Sequence, residues 1–182
     1  MKLALEKGVE HVTVEEICEM ADISRSTFFN YFPARDNAIV GRALELPEDS
    51  EAFAILDTSP EDLPRGIFRL MFAAIGHSKV NSEVARLRNQ LVAEQPAAGR
   101  MMLSNYLENT YTLTGTAVHW LMAHPEYSRT GDPVREAGLA VTLVTGVILV
   151  QMSEWMTGDG DVNASEEDFE RVMDEYIQVI GR

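Results

Sequence analysis

The sequence predicts an all-α fold, with a small N-terminal helix-turn-helix domain followed by a larger helical domain. Between Thr13 and Arg35, two short amphipathic helices are separated by a tight turn. In the rest of the chain, apolar residues recur at the i, i+3, i+4, i+7 spacing of helices. An acidic segment with three prolines, Pro47 to Pro64, separates the two parts. At 182 residues the chain is long enough to bury a sizeable core.

The first helix of the pair is predicted to begin at Val14. Thr13 and Glu16 form a capping box, in which each side chain bonds the backbone of the other residue. The apolar face that follows consists of Val14, Ile17, Cys18 and Ala21. Asp22 occupies the turn, and Asp tolerates the left-handed backbone conformation of such turns better than most residues.

The second helix is predicted to run from about Arg25 to Phe32, with Ser24 as its N-cap. Phe28 and Phe32 share the inward side, because they are one helical turn apart. The outward residues are Arg25, Ser26, Phe29 and Asn30, and Thr27 and Tyr31 lie on the flank. A cation, hydroxyls, an amide and an aromatic ring suit the base edges and phosphates of a DNA major groove. Periodicity alone leaves a second interpretation open, an ordinary helical hairpin with a polar surface.

Three segments near the N-terminus resemble the DNA-binding domain of TetR-type transcriptional regulators. They are Leu5-Glu6-Lys7-Gly8, Thr13-Val-Glu-Glu-Ile and Ile23-Ser-Arg-Ser-Thr-Phe-Phe-Asn-Tyr-Phe-Pro-Ala-Arg-Asp36. The resemblance implies that phosphates are contacted by Thr27, Tyr31 and Arg35, and that the groove is faced by Arg25, Ser26, Phe29 and Asn30. The two N-cap residues Thr13 and Ser24 complete the predicted DNA-binding set. Phe29 stands where many relatives carry tyrosine, and Asp22 replaces the usual turn glycine. The first helix, Met1 to Lys7, is shorter than is usual in that family, which leaves open a late start codon, a trimmed terminus or a less stable domain.

The resemblance also implies a division into a DNA-binding domain over residues 1–46 and an effector-binding and dimerisation domain over residues 47–182. A helix from Ala34 to Leu46 would join the two, and Pro47 would end it. TetR-type regulators bind a double-stranded DNA operator as homodimers and commonly respond to a small-molecule effector. We expect the same partners here, with the effector unidentified.

The second domain combines methionines and aromatic residues at helical spacing, which suits a pocket for an apolar ligand. Inward stripes are predicted on a helix from Glu61, with Ile67 to Ile75, and on a helix capped by Ser82, with Val84 to Val92. The candidate pocket residues are Phe68, Met71, Phe72, Met102, Tyr106 and Trp120. For each residue taken singly, ordinary core packing explains the same pattern.

The most apolar stretch, Pro133 to Met156, is predicted to be a buried helix rather than a membrane span. Its uncharged run from Ala137 to Ser153 has 17 residues, fewer than the roughly 20 that a span requires. In TetR-type regulators the last two long helices form the dimer, and here they correspond to Val134–Met156 and Ser165–Ile180.

Charge and composition limit the remaining possibilities. The net charge is −14, and residues 1–46 contain five Lys and Arg against eight Asp and Glu, so weak non-specific DNA binding is expected. The single cysteine and the lack of a signal peptide favour a cytoplasmic location.

Asp159, Asp161, Asn163 and Glu170 have calcium-loop spacing, but Ala164 replaces the required glycine, so an acidic linker is the preferred interpretation.

We find no catalytic constellation, metal-ligand spacing or cofactor motif, so the prediction is a non-enzymatic protein without cofactors. The expected function is a ligand-responsive repressor that binds a palindromic operator as a dimer. The alternative is a ligand-binding or scaffold dimer whose DNA-binding domain is impaired, as its short first helix and acidic balance suggest.

Overall fold

The computed structural model describes residues 1–42, 44–75, 79–157, 161–163, 165–179 and 181, with the backbone alone at 79–81, 155–157 and 161–163. In chain order the helices are α1 (Lys2–Lys7), α2 (Val14–Ala21), α3 (Arg25–Tyr31), α4 (Arg35–Val40), α5 (Asp49–Leu56), α6 (Leu63–Ile75), α7 (Ser82–Glu94), α8 (Pro96–Ala123), α9 (Pro133–Thr157) and α10 (Glu166–Val179). Two short 3-10 turns lie at Val9–His11 and Pro125–Tyr127. The predicted all-α class is confirmed.

The chain forms two compact units, which are described separately. The first contains Met1–Ala43 and Glu83–Glu108, and the second contains Leu44–Ser82 and Asn109–Arg182. The first segment ends close to the predicted boundary after Leu46. The placement of Glu83–Glu108 in the first unit has no counterpart in the prediction, because local periodicity does not show which helices pack together.

The core of the first unit joins its N-terminal helices to α7 and α8. Its buried members are Ala4, Val9, Val12, Ile39, Val40, Leu91 and Ala98. The side-chain amide of Gln95 adds two hydrogen bonds to this packing. Its Oε1 accepts from the backbone N–H of Val9 at 2.7 Å, and its Nε2 donates to the carbonyl of Ala4 at 2.6 Å. The six-residue α1 is therefore held by both apolar burial and a paired amide.

The predicted helix from Ala34 to Leu46 is wrong beyond Val40. α4 ends there because Gly41 adopts φ 100°, a conformation that favours glycine, and its N–H bonds the carbonyl of Asn37. Glycine therefore ends the helix well before Pro47. The predicted inward orientation of Ile75 and Val84 is also wrong, since both side chains are exposed.

The second unit is built around α6, α9 and the second part of α8, with α5 and α10 packed beside them. Buried side chains of these helices form one apolar cluster that includes Ile67, Leu70, Leu113, Leu121, Val141 and Val144. The ring of Phe68 stacks on that of Phe169 with centroids 4.2 Å apart. Trp120 is fully buried and donates its Nε1–H to Asp57 Oδ1 at 2.8 Å, so its one polar atom is paired.

Two further features of this unit are a short strand pair and a long apolar helix. The backbones of β1 (Lys79–Asn81) and β2 (Asp161–Asn163) pair in antiparallel fashion, which was not expected from the sequence. One described helix, over Pro133–Glu154, is long and apolar enough to cross a membrane by length and composition, with mean hydropathy 1.6. This stretch of α9 also packs against α6 and α10, as core helices do.

Glu136, near the start of α9, organises the loop that precedes the helix. Its carboxylate accepts hydrogen bonds from the backbone N–H groups of Arg129 and Thr130 and from the hydroxyls of Ser128 and Thr130, at 2.9 to 3.0 Å. Burial raises the pKa of Glu136, but these hydrogen bonds together outweigh it, so the pKa lies below its ordinary value.

We predict that Glu136→Gln destabilises the protein by about 1 kcal/mol, because the amide cannot accept all four donors. Since the folded-state pKa is lowered, the contribution of the carboxylate is complete above the ordinary Glu pKa and is lost as the pH falls through the folded value. The difference in melting temperature between wild type and variant should therefore shrink on acidification. The control is Glu126→Gln, an exposed carboxylate of the same loop. An equal effect of both variants at neutral pH would contradict this role.

Candidate nucleic-acid interface

The first helix of the pair, α2, begins as predicted. The backbone N–H of Glu16 bonds Thr13 Oγ1 at 3.3 Å, and the backbone N–H of Thr13 bonds Glu16 Oε2 at 2.9 Å, which completes the capping box. Hydrogen bonds from Lys7 and then from Thr13 lower the pKa of Glu16 to about 2. The carboxylate that starts α2 is thus also paired with the end of α1.

The turn between α2 and α3 is made by Asp22, the non-glycine residue with positive φ in the described chain, at φ 52° and ψ 49°. Its backbone N–H bonds the carbonyl groups of the last turn of α2. Ser24 then caps α3 by accepting from the backbone N–H of Thr27 at 3.0 Å. Both residues therefore hold the positions that the sequence predicts.

Burial of Phe28 fixes the orientation of α3. This ring is fully buried and lies 5.6 Å from the ring of Phe32, centroid to centroid. The opposite side of the helix is exposed and carries Arg25, Ser26, Phe29 and Asn30, followed by Tyr31 at 65% exposure. The predicted outward set is therefore brought together on one accessible surface, with Thr27 half-buried at its edge.

Arg25 is paired within the domain. Its guanidinium donates to the Glu15 carboxylate on α2 and lies 5.6 Å from the centroid of the Phe29 ring. Both members of the ion pair are more than half exposed, so their interaction is weak and screened by salt. Because Glu15 lies on a different helix, helical spacing alone does not predict this contact.

Arg35 has a structural role that sequence reasoning missed. Its Nη1 donates to the carbonyl of Val12 at 3.0 Å, and its Nε and Nη2 donate to Asp36 Oδ1 at 2.9 and 2.7 Å. The side chain therefore ties the start of α4 to the segment before α2. Its predicted contact with a phosphate stays a prediction.

The six candidate pocket residues are divided between the two units. Phe68, Met71 and Trp120 are buried in the second unit, with Phe72 half-buried against them. Met102 packs half-buried against the core of the first unit, where Tyr106 is exposed. A separate cleft of about 360 Å³ in the second unit is lined by Thr58, Ser59, Pro60, Glu61, Asp62, Arg65, Arg69 and Tyr127. The pocket stays a prediction.

The spacing that resembles a calcium loop lies partly outside the described residues, since Asp159 and Ala164 are not described. Asp161 and Asn163 belong to the strand β2. The capped helix that follows is present, because the backbone N–H of Asp168 bonds Ser165 Oγ at 3.1 Å.

Two short helices joined at a left-handed turn, with an exposed polar face on the second, have the layout of a helix-turn-helix DNA-binding domain. Residues 1–37 match the family model described as bacterial regulatory proteins, tetR family. The N-terminal segment of the chain is therefore similar to the DNA-binding domain of these transcriptional regulators, and the rest of the chain lies outside the match. A search of curated proteins and a search of solved structures each return no match to the chain.

We predict that Glu15→Gln tightens DNA binding up to about fivefold, because Arg25 no longer has to leave a carboxylate. Fluorescence anisotropy with operator and with scrambled DNA measures both affinities. The matched control is Glu19→Gln, which removes the same charge from the same helix. If both variants gain affinity equally, the effect is one of net charge and the ion pair with Arg25 does not compete with DNA.

Proposed function

We propose that this protein is a cytoplasmic, ligand-responsive repressor that binds a palindromic operator as a homodimer. The exposed face of α3, set opposite the buried Phe28, is the observation that carries the proposal. Arg25, Ser26, Phe29 and Asn30 read base edges, and Thr27, Tyr31 and Arg35 hold phosphates. Thr13 and Ser24, the N-caps of α2 and α3, complete the proposed DNA-binding set.

Dimer formation through α9 and α10 is supported by an exposed apolar stripe. Leu139, Gly146, Leu149 and Val150 are exposed at helical spacing on α9, and a Cβ built at Gly146 meets nothing within 4 Å. On α10, Tyr176, Ile177 and Val179 are also exposed. A second copy covers such a surface in a self-complementary way, and two copies present two α3 helices to successive major grooves, about 34–36 Å apart or more.

A small effector bound in the second unit would act by favouring one arrangement of the dimer over another. Binding shifts an equilibrium only as far as the ligand distinguishes the two states. The Met and aromatic side chains Phe68, Met71 and Phe72 support an apolar ligand. In this proposal the effector releases the operator.

The alternative is a ligand-binding or scaffold dimer with an impaired DNA-binding domain. One observation favours it: Arg25 and Arg35 are both engaged with carboxylates of their own domain.

The test that separates the two functions is fluorescence anisotropy of the full chain on the DNA that flanks its gene, measured over a range of salt concentrations. Tight, sequence-dependent binding with a steep salt slope supports the repressor. Absence of binding at low salt supports the alternative.

We predict that Arg25→Ala relaxes the ranking among operator variants, because its guanidinium faces the groove. Arg35→Ala instead weakens binding to all sequences about equally and reduces the salt slope by about one, as expected for a phosphate contact. It also lowers thermal stability, since the bonds to Val12 and Asp36 are lost. An unchanged ranking for Arg25→Ala would show that this residue does not read bases.

We predict that Leu149→Glu raises the dimer dissociation constant at least about tenfold, because a buried unpaired charge is strongly unfavourable at an interface. Analytical ultracentrifugation across a dilution series measures it. Met122→Glu, at an exposed apolar position on α8, is the control. A dimer that withstands Leu149→Glu would place the interface elsewhere.

A further inference from the structure

Gln151 stands out among the buried polar side chains of the second unit. It lies on α9 with 1% of its surface exposed. Among the described residues, neither its Oε1 nor its Nε2 has a hydrogen-bond partner, and both atoms are buried. A glutamine amide has one acceptor and two donor hydrogens, so its whole bonding capacity is unused.

The position of Gln151 on α9 places its amide inside the second unit. It follows Val144 and Val147 at intervals of seven and four residues, on the inward side of α9 that lines the apolar cluster with Phe68 and Phe169. It points away from the exposed stripe of Leu139, Leu149 and Val150, so a second copy of the chain cannot satisfy it.

The Nε atoms of Arg65 and Arg88 are also buried without a hydrogen-bond partner among the described residues, but in Gln151 the whole amide group is unpaired. Two other inward polar side chains make the hydrogen bonds that Gln151 lacks. Thr145, one and a half turns earlier on α9, donates its hydroxyl to the carbonyl of Val141 at 2.8 Å. Gln95 in the first unit uses both atoms of the same amide group, at 2.7 and 2.6 Å. A buried amide without partners costs stability, and each such group in a folded protein calls for an explanation such as a bound water or ligand.

The chemistry of the amide defines what would pair with it. A group that places a carbonyl oxygen beside an N–H satisfies Nε2 and Oε1 together, in a ring of two hydrogen bonds. A carboxylate accepts from Nε2 but leaves Oε1 unpaired, and it would bury a charge among apolar side chains. A hydrocarbon leaves both atoms unpaired. The complementary ligand is therefore a neutral carboxamide or lactam joined to an apolar body.

We propose that Gln151 is the polar recognition residue of an effector site in the second unit, and that the effector is a neutral amide- or lactam-containing molecule with an apolar body. The proposal rests on the effector response proposed above. The apolar body packs against the surrounding cluster, and the Gln151 amide fixes its orientation. In the ligand-free protein the unpaired amide is retained at a cost in stability, because binding requires it.

The first test is thermal unfolding of the full chain without added ligand. Gln151→Leu keeps the size of the side chain and removes the unpaired amide, so the melting temperature should rise by about 2–4 °C. The matched control is Gln95→Leu, which breaks two hydrogen bonds and should lower it. A lower melting temperature for Gln151→Leu would show that the amide has a partner, such as a buried water, in the free protein, and would overturn the proposal.

The second test uses benzamide as the probe, with benzoate as its charged counterpart. The side-chain NH2 signals of Gln151 are assigned in ¹H–¹⁵N spectra by their loss in Gln151→Leu. Benzamide at millimolar concentration should shift these signals and raise the melting temperature of the wild type but not of Gln151→Leu. Unmoved signals, or equal shifts with benzoate, would overturn the proposal.

Operator binding separates this inference from the proposed function. Gln151→Leu should bind operator DNA as the wild type does, because α9 carries none of the DNA contacts. If the variant binds operator and benzamide has no effect on either protein, the recognition role of Gln151 fails while the DNA-binding regulator stands. If neither protein binds operator but benzamide binds through Gln151, the repressor fails and the ligand site stands.

Discussion

Burial of Phe28 is the constraint on which the DNA-binding surface depends. A seven-residue helix makes fewer than two turns, so once one ring is fixed inward the outward side chains are determined. The left-handed turn at Asp22 and the cap at Ser24 set the direction from which α3 leaves α2. Neither the cap nor the turn would present Arg25 and Asn30 outward if Phe28 were free to rotate. A change at Phe28 would therefore affect every candidate contact at once, whereas a change at one exposed residue affects its own contact.

Polar side chains in each of the two units hydrogen-bond backbone groups of short or irregular segments, and Gln151 does not. The amide of Gln95 holds α1 and the following turn, since its two atoms meet backbone groups that would otherwise lack partners. The carboxylate of Glu136 performs a similar function for the loop before α9. In each case the side chain stabilises a segment too short or irregular to satisfy its own backbone. Gln151 has the same functional group as Gln95 without these partners. A purely structural role explains the first glutamine and leaves the second without an explanation.

Local features of the fold could be predicted from the sequence, and pairings between distant residues could not. The capping box of Thr13 and Glu16, the turn at Asp22 and the inward ring of Phe28 depend on residues within a few positions of one another, so spacing reveals them. Gln95 contacts Val9 and Ala4, which lie 86 and 91 positions away in the sequence. The strands β1 and β2 pair although β1 ends at Asn81 and β2 begins only at Asp161. No local pattern contains that information. The end of α4 at Gly41 is different, because the glycine is visible in the sequence and outweighs the helical spacing of the residues after it. The candidate pocket residues share a composition typical of pockets and of cores alike, which is why composition did not separate Met102 and Tyr106 from the others.

The acidic balance of the DNA-binding domain is compatible with selective binding. Glu15 and Asp36 are paired with the guanidinium groups of Arg25 and Arg35. The proposed DNA contacts of these arginines would exchange a carboxylate for a phosphate or a base edge. For the exposed pair of Arg25 and Glu15 this exchange costs little, about 0–1 kcal/mol. In the proposed binding mode this cost applies on every DNA sequence, whereas the proposed base contacts of Ser26, Phe29 and Asn30 would be gained only on the operator. A cost that is the same on every sequence lowers non-specific and operator affinity by the same factor, so it weakens the phosphate-driven binding without changing the ratio of the two. Since a genome offers a vast excess of competing sites, the ratio of the two affinities determines occupancy. An acidic domain thus lowers absolute affinity on all DNA, and the ratio depends on how firmly the burial of Phe28 fixes the outward residues of α3.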